Sequence, residues 1–317
     1  MIIWLSTSAT HVLEALLDGK LTTYLGSFYE GETKRYLKGL KVVHPSELTF
    51  FLDSGAYGAW SKGTAIDIDE YIAFIKANAE HIEVYANLDV IPGEPGRNAS
   101  KPEREAAAEQ GWKNFLYMRA EGLSPVPVFH VGEDWKWLDL MMQHCDYIGL
   151  GGMVGSHLTP ALRRNWLDET FSRICDEQGK PRVKVHGFGM TAIPLLFRYP
   201  WYSVDSTTWI QSAANGNVYL PAVRDGEFVF DQIPMTVPVS EKNPGQTTQG
   251  KAANTFSPAM RDILDQWLAE CGKTYQQVCE HYYHRAVVNV CFFKRVSEAK
   301  LAQVFKRDRF RKQTLVA

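Results

Sequence analysis

The sequence predicts an α/β fold, a (β/α)8 TIM-like barrel with a C-terminal helical extension. Two observations lead to this prediction. Short apolar runs recur between residues 2 and 223, and most are followed by a segment whose apolar residues are spaced by three and four. The runs are continuously apolar, which is typical of parallel strands covered by helices on both faces. A doubly wound open sheet is the competing arrangement.

Seven apolar runs are the predicted strands of the barrel. They lie at 2–6, 50–56, 82–90, 126–131, 147–152, 183–189 and 202–209, and the run at 216–223 is the candidate eighth strand. The helical segments between them lie at 69–81, 102–122, 134–144, 160–179 and 191–200. Strands that alternate with helices in this way, eight times over, are what a closed (β/α)8 barrel requires.

The pattern changes after Val223. The segment 224–239 predicts a hairpin that turns at Asp225 and Gly226. The next segment, 240–258, is polar and rich in Gly, Pro, Asn and Gln, which favours an exposed loop. Loops of this length in compact domains tend to be functional or disordered.

The remainder of the chain is predicted to be helical to its end, with helices at 259–271 and 275–305. We therefore divide the chain into two parts. Residues 1–257 are the predicted barrel, including the hairpin and polar loop insertion at 224–257. Residues 258–317 are C-terminal helices that pack on the barrel and end in a basic tail.

Composition excludes several classes of protein. Hydrophobic residues make up 45% of the chain, which excludes a mainly disordered protein. Five cysteines without a CxxC pair argue against a disulfide framework and indicate a reducing compartment, so we predict a cytoplasmic protein. The first residues lack the basic region of a signal peptide, and no stretch approaches the roughly 20 apolar residues that span a bilayer. We expect no membrane partner.

The C-terminal segment is basic. From Lys294 to Ala317 there are eight basic and two acidic residues, a net charge of +6 in a chain whose net charge is −2. A basic segment on an acidic body fits a site for a polyanion, but the solvated end of a helix has the same composition.

Polar residues end most of the predicted strands, and strand ends converge on one rim of a barrel. A lone acid after a strand is usually a helix N-cap, but several acids beside glycines favour a binding site, because glycines leave backbone N–H groups open to a ligand. Two carboxylates facing one pocket suit glycosidic chemistry. The strand-end residues are Asp53, Asp89, His130, Gly151, Gly152, His186, Gly187, Gly189 and Asp205.

Five segments resemble the queuine and archaeosine tRNA-guanine transglycosylases. "DSGAY" at 53–57 is similar to the DSGG(F/Y) motif of this family, "IGLGGMVG" at 148–155 to its GGLAVGE segment, and "VHGFG" at 185–189 to its (Y/H)LMGVG segment. "SVDSTTWIQSAANGNVYL" at 203–220 resembles the strand with the catalytic aspartate and the loop after it, and "HRAVVNVCFFKRVSEA" at 284–299 resembles the closing helix. Each motif alone is a weak signal, but five in the order of the family are a strong one.

The resemblance implies roles for two acids. Asp205 takes the place of the nucleophile that attacks C1′ of a nucleotide sugar, expels guanine and forms a covalent glycosyl-enzyme. Asp53 takes the place of the general acid/base, which assists the leaving base and later accepts the N9 proton of the incoming base. Since the same carbon is attacked twice, the configuration at C1′ is retained.

The resemblance also implies a base-binding pocket. Asp89 matches an acid that accepts hydrogen bonds from the N1 and exocyclic-amine edge of a guanine-like base, which would reject adenine. Gly151 and Gly152 would offer backbone N–H groups to O6 of the base, and His130 stands where the family has a glutamine.

Aromatic residues would hold the two faces of the base. The resemblance places Tyr57 on one face and His186 or Phe188 on the other, although Tyr57 is equally an ordinary core aromatic from its sequence context. Trp209 and Trp201 would wedge or stack where the target base leaves its helix, or they pack within the barrel.

Two features differ from the tRNA enzymes. Those enzymes carry a CxCxxC…H zinc site, which this chain lacks, with Val288 where the histidine would stand. We therefore predict no metal and no cofactor. Two interpretations of Cys279, His281 and His284 remain: they are residues of a buried helix, or they bind a metal together with a distant cysteine. The arginine-bearing loop near the tRNA anticodon is also replaced, by "TTWIQSAANG" at 207–216.

A chain without the zinc motif and with a basic tail resembles the phage and bacterial enzymes that exchange guanine in DNA for a 7-deazaguanine. This resemblance implies two partners: DNA, as a duplex with a flipped guanine or as a single strand, and a free 7-deazaguanine base such as preQ0. A phage-encoded enzyme of this kind would act in the host cytoplasm. Phosphate contacts are expected from the loop at 240–258 and from Lys306, Arg307, Arg309 and Arg311.

Three other functions remain open from the sequence. The same exchange on tRNA is one, and hydrolysis of a nucleoside or DNA glycosidic bond, which releases guanine without an incoming base, is another. The third is a non-catalytic binding subunit. Such partners among the tRNA enzymes tend to lose the nucleophile, whereas this chain keeps both Asp53 and Asp205.

Overall fold

Eight parallel strands form the central sheet of the computed structural model, which describes residues 1–7, 12–29, 31, 48–153, 158–242, 249–299 and 302–306. Their order across the sheet is β4-β3-β2-β1-β8-β7-β6-β5, so β8 lies beside β1 and all other neighbours are consecutive in the chain. The strands are β1 (Ile2–Ser6), β2 (Thr23–Ser27), β3 (Thr49–Asp53), β4 (Val84–Tyr85), β5 (Val128–His130), β6 (Tyr147–Gly151), β7 (Lys184–Gly187) and β8 (Ser203–Ser206).

The two edge strands approach each other. One parallel bridge joins Ala86, just after β4, to Val126, just before β5. Asn87 N–H donates to the carbonyl of Val126 at 2.8 Å, and Val126 N–H donates to the carbonyl of Tyr85 at 2.9 Å. The sheet is therefore strongly curled, and the α/β architecture is of the TIM-like type that the sequence predicts.

Helices connect the strands, and side chains cap several of them. Asp67 accepts from the backbone N–H groups of Asp69 and Glu70, and Ser100 with Glu103 forms a capping box. In the described part of the chain the helices are α1 (Glu14–Asp18), α2 (Ala56–Ser61), α3 (Ile68–Ala77), α4 (Lys101–Ala120), α5 (Trp135–His144), α6 (Pro160–Ile174), α7 (Ile193–Arg198), α8 (Thr208–Ala214), α9 (Pro258–Glu270), α10 (Tyr275–Glu280) and α11 (Tyr282–Glu298).

The alternation of side chains along each strand separates two cores. Trp4, Leu25, Phe51 and Ala86 form a small buried cluster of their own, while most of the other buried apolar residues belong to one large cluster that includes the helices. Because successive side chains point to opposite faces, the residue two positions after each cluster member lies on the same face. Asp53 therefore lies on the same face of β3 as Phe51. The small cluster thus lies below the polar residues at the carboxyl ends of the strands, which we call the polar rim.

The strand that completes the set of eight is β2, which the sequence analysis did not predict. The prediction that residues 216–223 form the eighth strand of this sheet is wrong. Those residues form β9 (Asn217–Leu220), which pairs antiparallel with β12 (Met235–Pro238) outside the main sheet. Apolar residues alone do not specify which partner a short strand takes. β2 has only five residues and contains a glycine, which weakens its strand signal.

The predicted hairpin after Val223 is confirmed. β10 (Ala222–Arg224) pairs antiparallel with β11 (Glu227–Val229). Asp225 and Gly226 join them with φ angles of 54° and 83°. Both central residues therefore have the left-handed conformation that a tight hairpin turn of the Asp-Gly type requires.

The C-terminal helices are shorter than predicted but share the main core. The helix predicted at 275–305 is divided at His281 into α10 and α11, and α11 ends at Glu298. α11 packs against α1, α8 and β9. Its Asn289 is fully buried, accepts from the N–H of Tyr219 at 2.8 Å and donates to the carbonyl of Trp209 at 2.9 Å. The division into two parts at residue 257 stays a prediction.

The start of the basic tail is anchored to the α/β core. Phe305 N–H donates to the carbonyl of Gly179 at 2.7 Å, and its ring stacks on Tyr199 at 5.6 Å. Gly179 lies between α6 and β7, so it precedes the start of a strand, whereas the polar rim follows the strand ends. Lys306 is exposed there. Three other predicted contact residues, Arg307, Arg309 and Arg311, lie outside the described residues.

Across the described ranges, none of the helices combines the length and the apolar character needed to cross a bilayer.

Candidate active site

Three acids lie at the carboxyl ends of strands in the same parallel sheet. Asp53 is the last residue of β3, Asp205 lies near the end of β8, and Asp89 follows β4. Asp53 and Asp205 line one cleft of about 450 Å³. Because the charges of Asp89 and Asp205 both raise the pKa of Asp53, the three carboxyl groups interact electrostatically. The structure therefore brings together the acids that the sequence singled out.

Asp53 titrates near neutral pH. Burial raises its pKa to about 7, with smaller contributions from the negative charges of Asp89 and Asp205. The N–H of Gly55 donates to its Oδ2 at 3.1 Å, which opposes the rise. A carboxyl group with a pKa near the working pH can donate and accept a proton in turn, as a general acid/base does.

Asp205 is held by donors on both of its oxygens. The hydroxyl of Ser6 donates to Oδ2 at 2.9 Å, and the N–H of Gly189 donates to Oδ1 at 2.8 Å. Nε2 of His186 lies 3.3 Å from Oδ1. These contacts come from β1, from β7 and from the residues after β7, so the carboxyl group is fixed while 11% of its side chain stays exposed to the cleft.

Asp89 forms a buried chain with His130 and Glu133. His130 Nε2 lies 2.9 Å from Oδ2 of Asp89, and His130 Nδ1 lies 3.0 Å from Oε1 of Glu133. Burial alone lowers the pKa of His130, but the charge of Glu133 and hydrogen bonds to both acids raise it to about 10. The imidazole is therefore a cation between two carboxylates at neutral pH. Ser54 Oγ donates to the other oxygen of Asp89 at 3.2 Å.

Glu133 is a site residue that the sequence prediction missed. Its side chain is only 4% exposed, and Oε2 accepts from the backbone N–H of His130 at 3.1 Å. The spacing of three residues from His130 was the available signal, but an acid in a loop is ordinarily solvated, and its burial depends on the rest of the site.

The two glycines expected to bind the base have different surroundings. Gly151 is buried, and a Cβ atom on it would lie 2.8 Å from Cδ2 of His130. Its small size therefore makes room for the imidazole rather than for a ligand. Gly152 is exposed, with φ of 72°, and remains open to a bound base.

The expected aromatic sandwich differs in the structure. His186 is fully buried, with its ring 4.8 Å from Phe51 and 4.4 Å from Phe188, so it cannot stack on a base. Phe188 is half-buried against Gly149, where a Cβ atom would meet its ring at 2.6 Å. Tyr57 is 64% exposed, so it is no core aromatic, and its ring lies 5.6 Å from that of Trp60.

Trp209 and Trp201 are packing residues, which corrects the expectation that they contact nucleic acid. Trp209 is fully buried, and its Nε1 donates to the carbonyl of Ser6 at 2.9 Å. Trp201 is 6% exposed, and its Nε1 donates to the carbonyl of Leu195 at 3.0 Å. An indole with its polar atom satisfied inside the protein has no reason to leave for a base stack.

The cleft beside the two acids is lined by small polar groups together with Leu25, Gly26, Ile210 and Ala214. It extends from Asp53 and Asp205 across β1, β2 and α8, and its volume is typical of small-molecule sites. Hydroxyl and amide groups can bind a sugar through hydrogen bonds. The polar lining residues besides the two acids are Ser6, Thr7, Ser27, Thr207 and Gln211.

No protein-family model matches the chain, and no match is found among the curated proteins.

Metal ligation finds no support in the residues described. In those ranges, no group of three or more His, Cys, Asp or Glu is placed to hold an ion. His281 instead begins α11, where its Nδ1 accepts from the N–H of Tyr283 at 3.1 Å, and its ring lies 6.2 Å from that of His284. A function without metal or cofactor stays a prediction.

Proposed function

We propose that the protein is a transglycosylase that exchanges guanine in DNA for a 7-deazaguanine base of the preQ0 type through a covalent Asp205-glycosyl intermediate. The observation that carries this proposal is the presence of Asp53 and Asp205 in one cleft with different surroundings. Burial gives Asp53 a pKa of about 7, whereas Asp205 is oriented by Ser6 and Gly189. Two carboxyl groups in unlike environments are what an acid and a nucleophile need.

In the first half of the reaction, a carboxylate oxygen of Asp205 attacks C1′ of the target nucleotide. The bond between C1′ and N9 breaks, and Asp53 donates its proton to the leaving guanine. In the second half, the Asp53 carboxylate accepts the N9 proton of the incoming 7-deazaguanine. N9 then forms the new bond to C1′, and the ester to Asp205 breaks. The enzyme ends in its starting protonation state.

Asp89 is the proposed reader of the base edge. His130 and Ser54 approach its two oxygens, so the carboxylate is held in place while its side chain stays 14% exposed. A fixed carboxylate accepts from the N1–H and exocyclic amine of guanine and of 7-deazaguanines alike. We also infer that the bridge between Ala86 and Val126 closes the sheet into a (β/α)8 barrel, which sets these acids on one ring.

The target nucleotide must leave its helix to reach this cleft. Asp205 is buried except for the 11% of its side chain that is exposed. A nucleotide that stays stacked in its helix cannot bring C1′ and its base edge to these acids, so the nucleotide must be extruded first. Exposed Tyr57 is the aromatic available to stack on the extruded base.

A direct test offers the protein duplex DNA, single-stranded DNA and tRNA, each with isotope-labelled preQ0, followed by nucleoside mass analysis. We expect label in DNA, no label with Asp205→Asn, and normal exchange with Asp262→Asn, which alters an exposed acid on α9. Label in tRNA alone would instead identify the protein as an enzyme that carries out this exchange on tRNA. Guanine release without incoming base would assign a hydrolase, and exchange by Asp205→Asn at the wild-type rate would refute the nucleophile.

A further inference from the structure

A line of polar groups runs through the sheet interior beneath Asp205. The hydroxyl of Tyr147 lies 2.6 Å from Oγ of Ser203, and Oγ of Ser203 lies 2.7 Å from Nδ1 of His186. On its other side, His186 presents Nε2 to Oδ1 of Asp205 at 3.3 Å. Ser203 and His186 are both fully buried, and the rings of Phe51 and Phe188 surround the imidazole.

His186 Nε2 has no other polar contact that would explain its burial. Its separation of 3.3 Å from Oδ1 of Asp205 is within the distance of an ion pair, and within the described part of the chain the nitrogen has no hydrogen-bond partner of good geometry. Burying a ring nitrogen without a partner is costly. The polar atom that faces it is Oδ1 of Asp205, so the arrangement of hydrogens along the line determines whether this contact is attractive.

For a neutral imidazole, two arrangements of hydrogens fit the distances, because the Ser203 hydroxyl has one hydrogen to donate. In the first, Tyr147 donates to Ser203 and Ser203 donates to Nδ1, so Nε2 carries the imidazole hydrogen and points it at Asp205. In the second, Nδ1 donates to Ser203 and a bare lone pair faces the carboxylate. The second places two electron-rich atoms together away from water, which is unfavourable.

The far end of the line is compatible with the first arrangement. Burial is the main reason that the pKa of Tyr147 lies well above its usual value, so the phenol keeps its hydrogen and is available as a donor. In this arrangement Ser203 accepts from Tyr147 and donates to His186. The tautomer of a histidine is set by the hydrogen bond at its other nitrogen, and here that bond lies on Nδ1.

We propose that His186 is the positioning residue of the nucleophile: Ser203 and Tyr147 hold its hydrogen on Nε2, and this N–H fixes Oδ1 of Asp205. The inference rests on the proposed function, which requires Asp205 as a carboxylate. Among the described residues, Oδ1 then has two donors, Gly189 and His186, while Oδ2 has one, Ser6. Oδ2 is thus the oxygen with a lone pair free to attack C1′, and no proton moves through His186.

The tautomer is tested first, without any substrate. Nuclear magnetic resonance of protein with isotope-labelled histidine shows which ring nitrogen carries hydrogen, and the signal of His186 is the one lost in His186→Gln. We expect a neutral ring with hydrogen on Nε2 in the wild type, and a mixture of tautomers in Ser203→Ala. Tyr202→Phe removes a hydroxyl from the ring that neighbours Tyr147 and should leave the signal unchanged. Hydrogen on Nδ1 alone, or on both nitrogens, overturns the proposal.

The kinetic test compares two replacements of His186. Glutamine can accept from Ser203 and donate to Asp205, whereas leucine can do neither. With folding verified by thermal unfolding, we expect His186→Leu to slow formation of the covalent intermediate by about 10- to 100-fold at unchanged KM, with His186→Gln close to wild type. Equal rates for the two variants overturn the positioning role. If the wild type forms no intermediate with any nucleic acid, the proposed function fails, and the resonance experiment still decides the tautomer.

Discussion

His130 holds Asp89 through a contact of 2.9 Å between Nε2 and Oδ2, and it does so as a cation because Glu133 occupies its other nitrogen. The pKa of this imidazole is raised from 6.5 to about 10. A histidine whose pKa is higher in the folded state stabilises the protein fully below its unfolded pKa. That stabilisation is lost as the pH rises through the folded value.

The first prediction follows for His130→Gln. Below about pH 6.5 the free energy of unfolding should fall by about 2–4 kcal/mol relative to the wild type, because two buried carboxylates lose their cation. The difference should shrink as the pH approaches 10. Denaturant unfolding at a series of pH values measures it, with His144→Gln, an exposed histidine, as the control. A difference that does not change with pH would show that His130 is not held as a cation.

The second prediction concerns Asp53, whose pKa is raised from 3.8 to about 7. A folded state that binds this proton more tightly than the unfolded state loses stability as the pH rises between these values. Asp53→Asn removes the buried charge, so it should raise the free energy of unfolding by about 1–3 kcal/mol at pH 8 and have little effect at pH 4. Chemical denaturation at both values is the measurement, and a destabilised variant at pH 8 would contradict the assignment.

The same pKa predicts opposite pH dependence for the two half-reactions. Release of guanine needs Asp53 with its proton, so its single-turnover rate should fall above about pH 7. Uptake of 7-deazaguanine by the glycosyl-enzyme needs the carboxylate, so its rate should rise over the same range. Rapid-quench measurement of each step, with Asp262→Asn as a matched control on an exposed acid, tests this. Two rates that move in the same direction would remove Asp53 from the role of acid/base.

The convergence of Asp53, Asp89 and Asp205 could be predicted from the sequence because it depends on a short-range rule. Each acid follows an apolar strand, and parallel strands end on one edge. The same rule fails for β2, whose five residues carry a weak strand signal, and for residues 217–220, whose pattern fits either sheet.

The parts of the site that depend on contacts distant in the chain could not be predicted. Ser6 donates to an acid 199 residues away, and Ser203 meets Tyr147 across 56 residues. The burial of Trp209 is equally a property of the assembled core, because its polar atom is satisfied by the carbonyl of Ser6. Sequence pattern identifies which residues reach the rim, and only packing determines which of them remain free to bind.

The fourth prediction tests how the C-terminal helices hold the barrel together. Asn289→Ala leaves the N–H of Tyr219 and the carbonyl of Trp209 without their buried partner, and each such group costs about 1–3 kcal/mol. We expect the free energy of unfolding to fall by about 2–4 kcal/mol. Glu298→Ala on the exposed end of the same helix should change it by less than about 0.5 kcal/mol. Equal effects would mean that Asn289 does not tie α11 to α8 and β9.

The last prediction concerns the basic tail and the identity of the polyanion. Phe305 anchors the start of this tail near Gly179, before a strand begins, whereas Asp205 lies at the strand ends. Phosphate contacts from Lys306, which follows Phe305 directly, therefore require DNA that extends beyond the cleft, away from the strand ends. Each phosphate neutralised adds about 0.9 to the slope of log K against log salt for duplex DNA.

Replacing Lys306, Arg307, Arg309 and Arg311 with serine should therefore weaken DNA binding and reduce that slope by up to about 3–4. Exchanging lysine for arginine and arginine for lysine at the same four positions keeps the charge and should keep the slope, because both side chains neutralise phosphate. Fluorescence anisotropy over a range of salt concentrations measures both, on a DNA duplex long enough to pass the barrel. An unchanged slope in the serine variant would show that the tail is a solvated end, and the loop at 240–258 would then be the remaining candidate for the phosphate contacts.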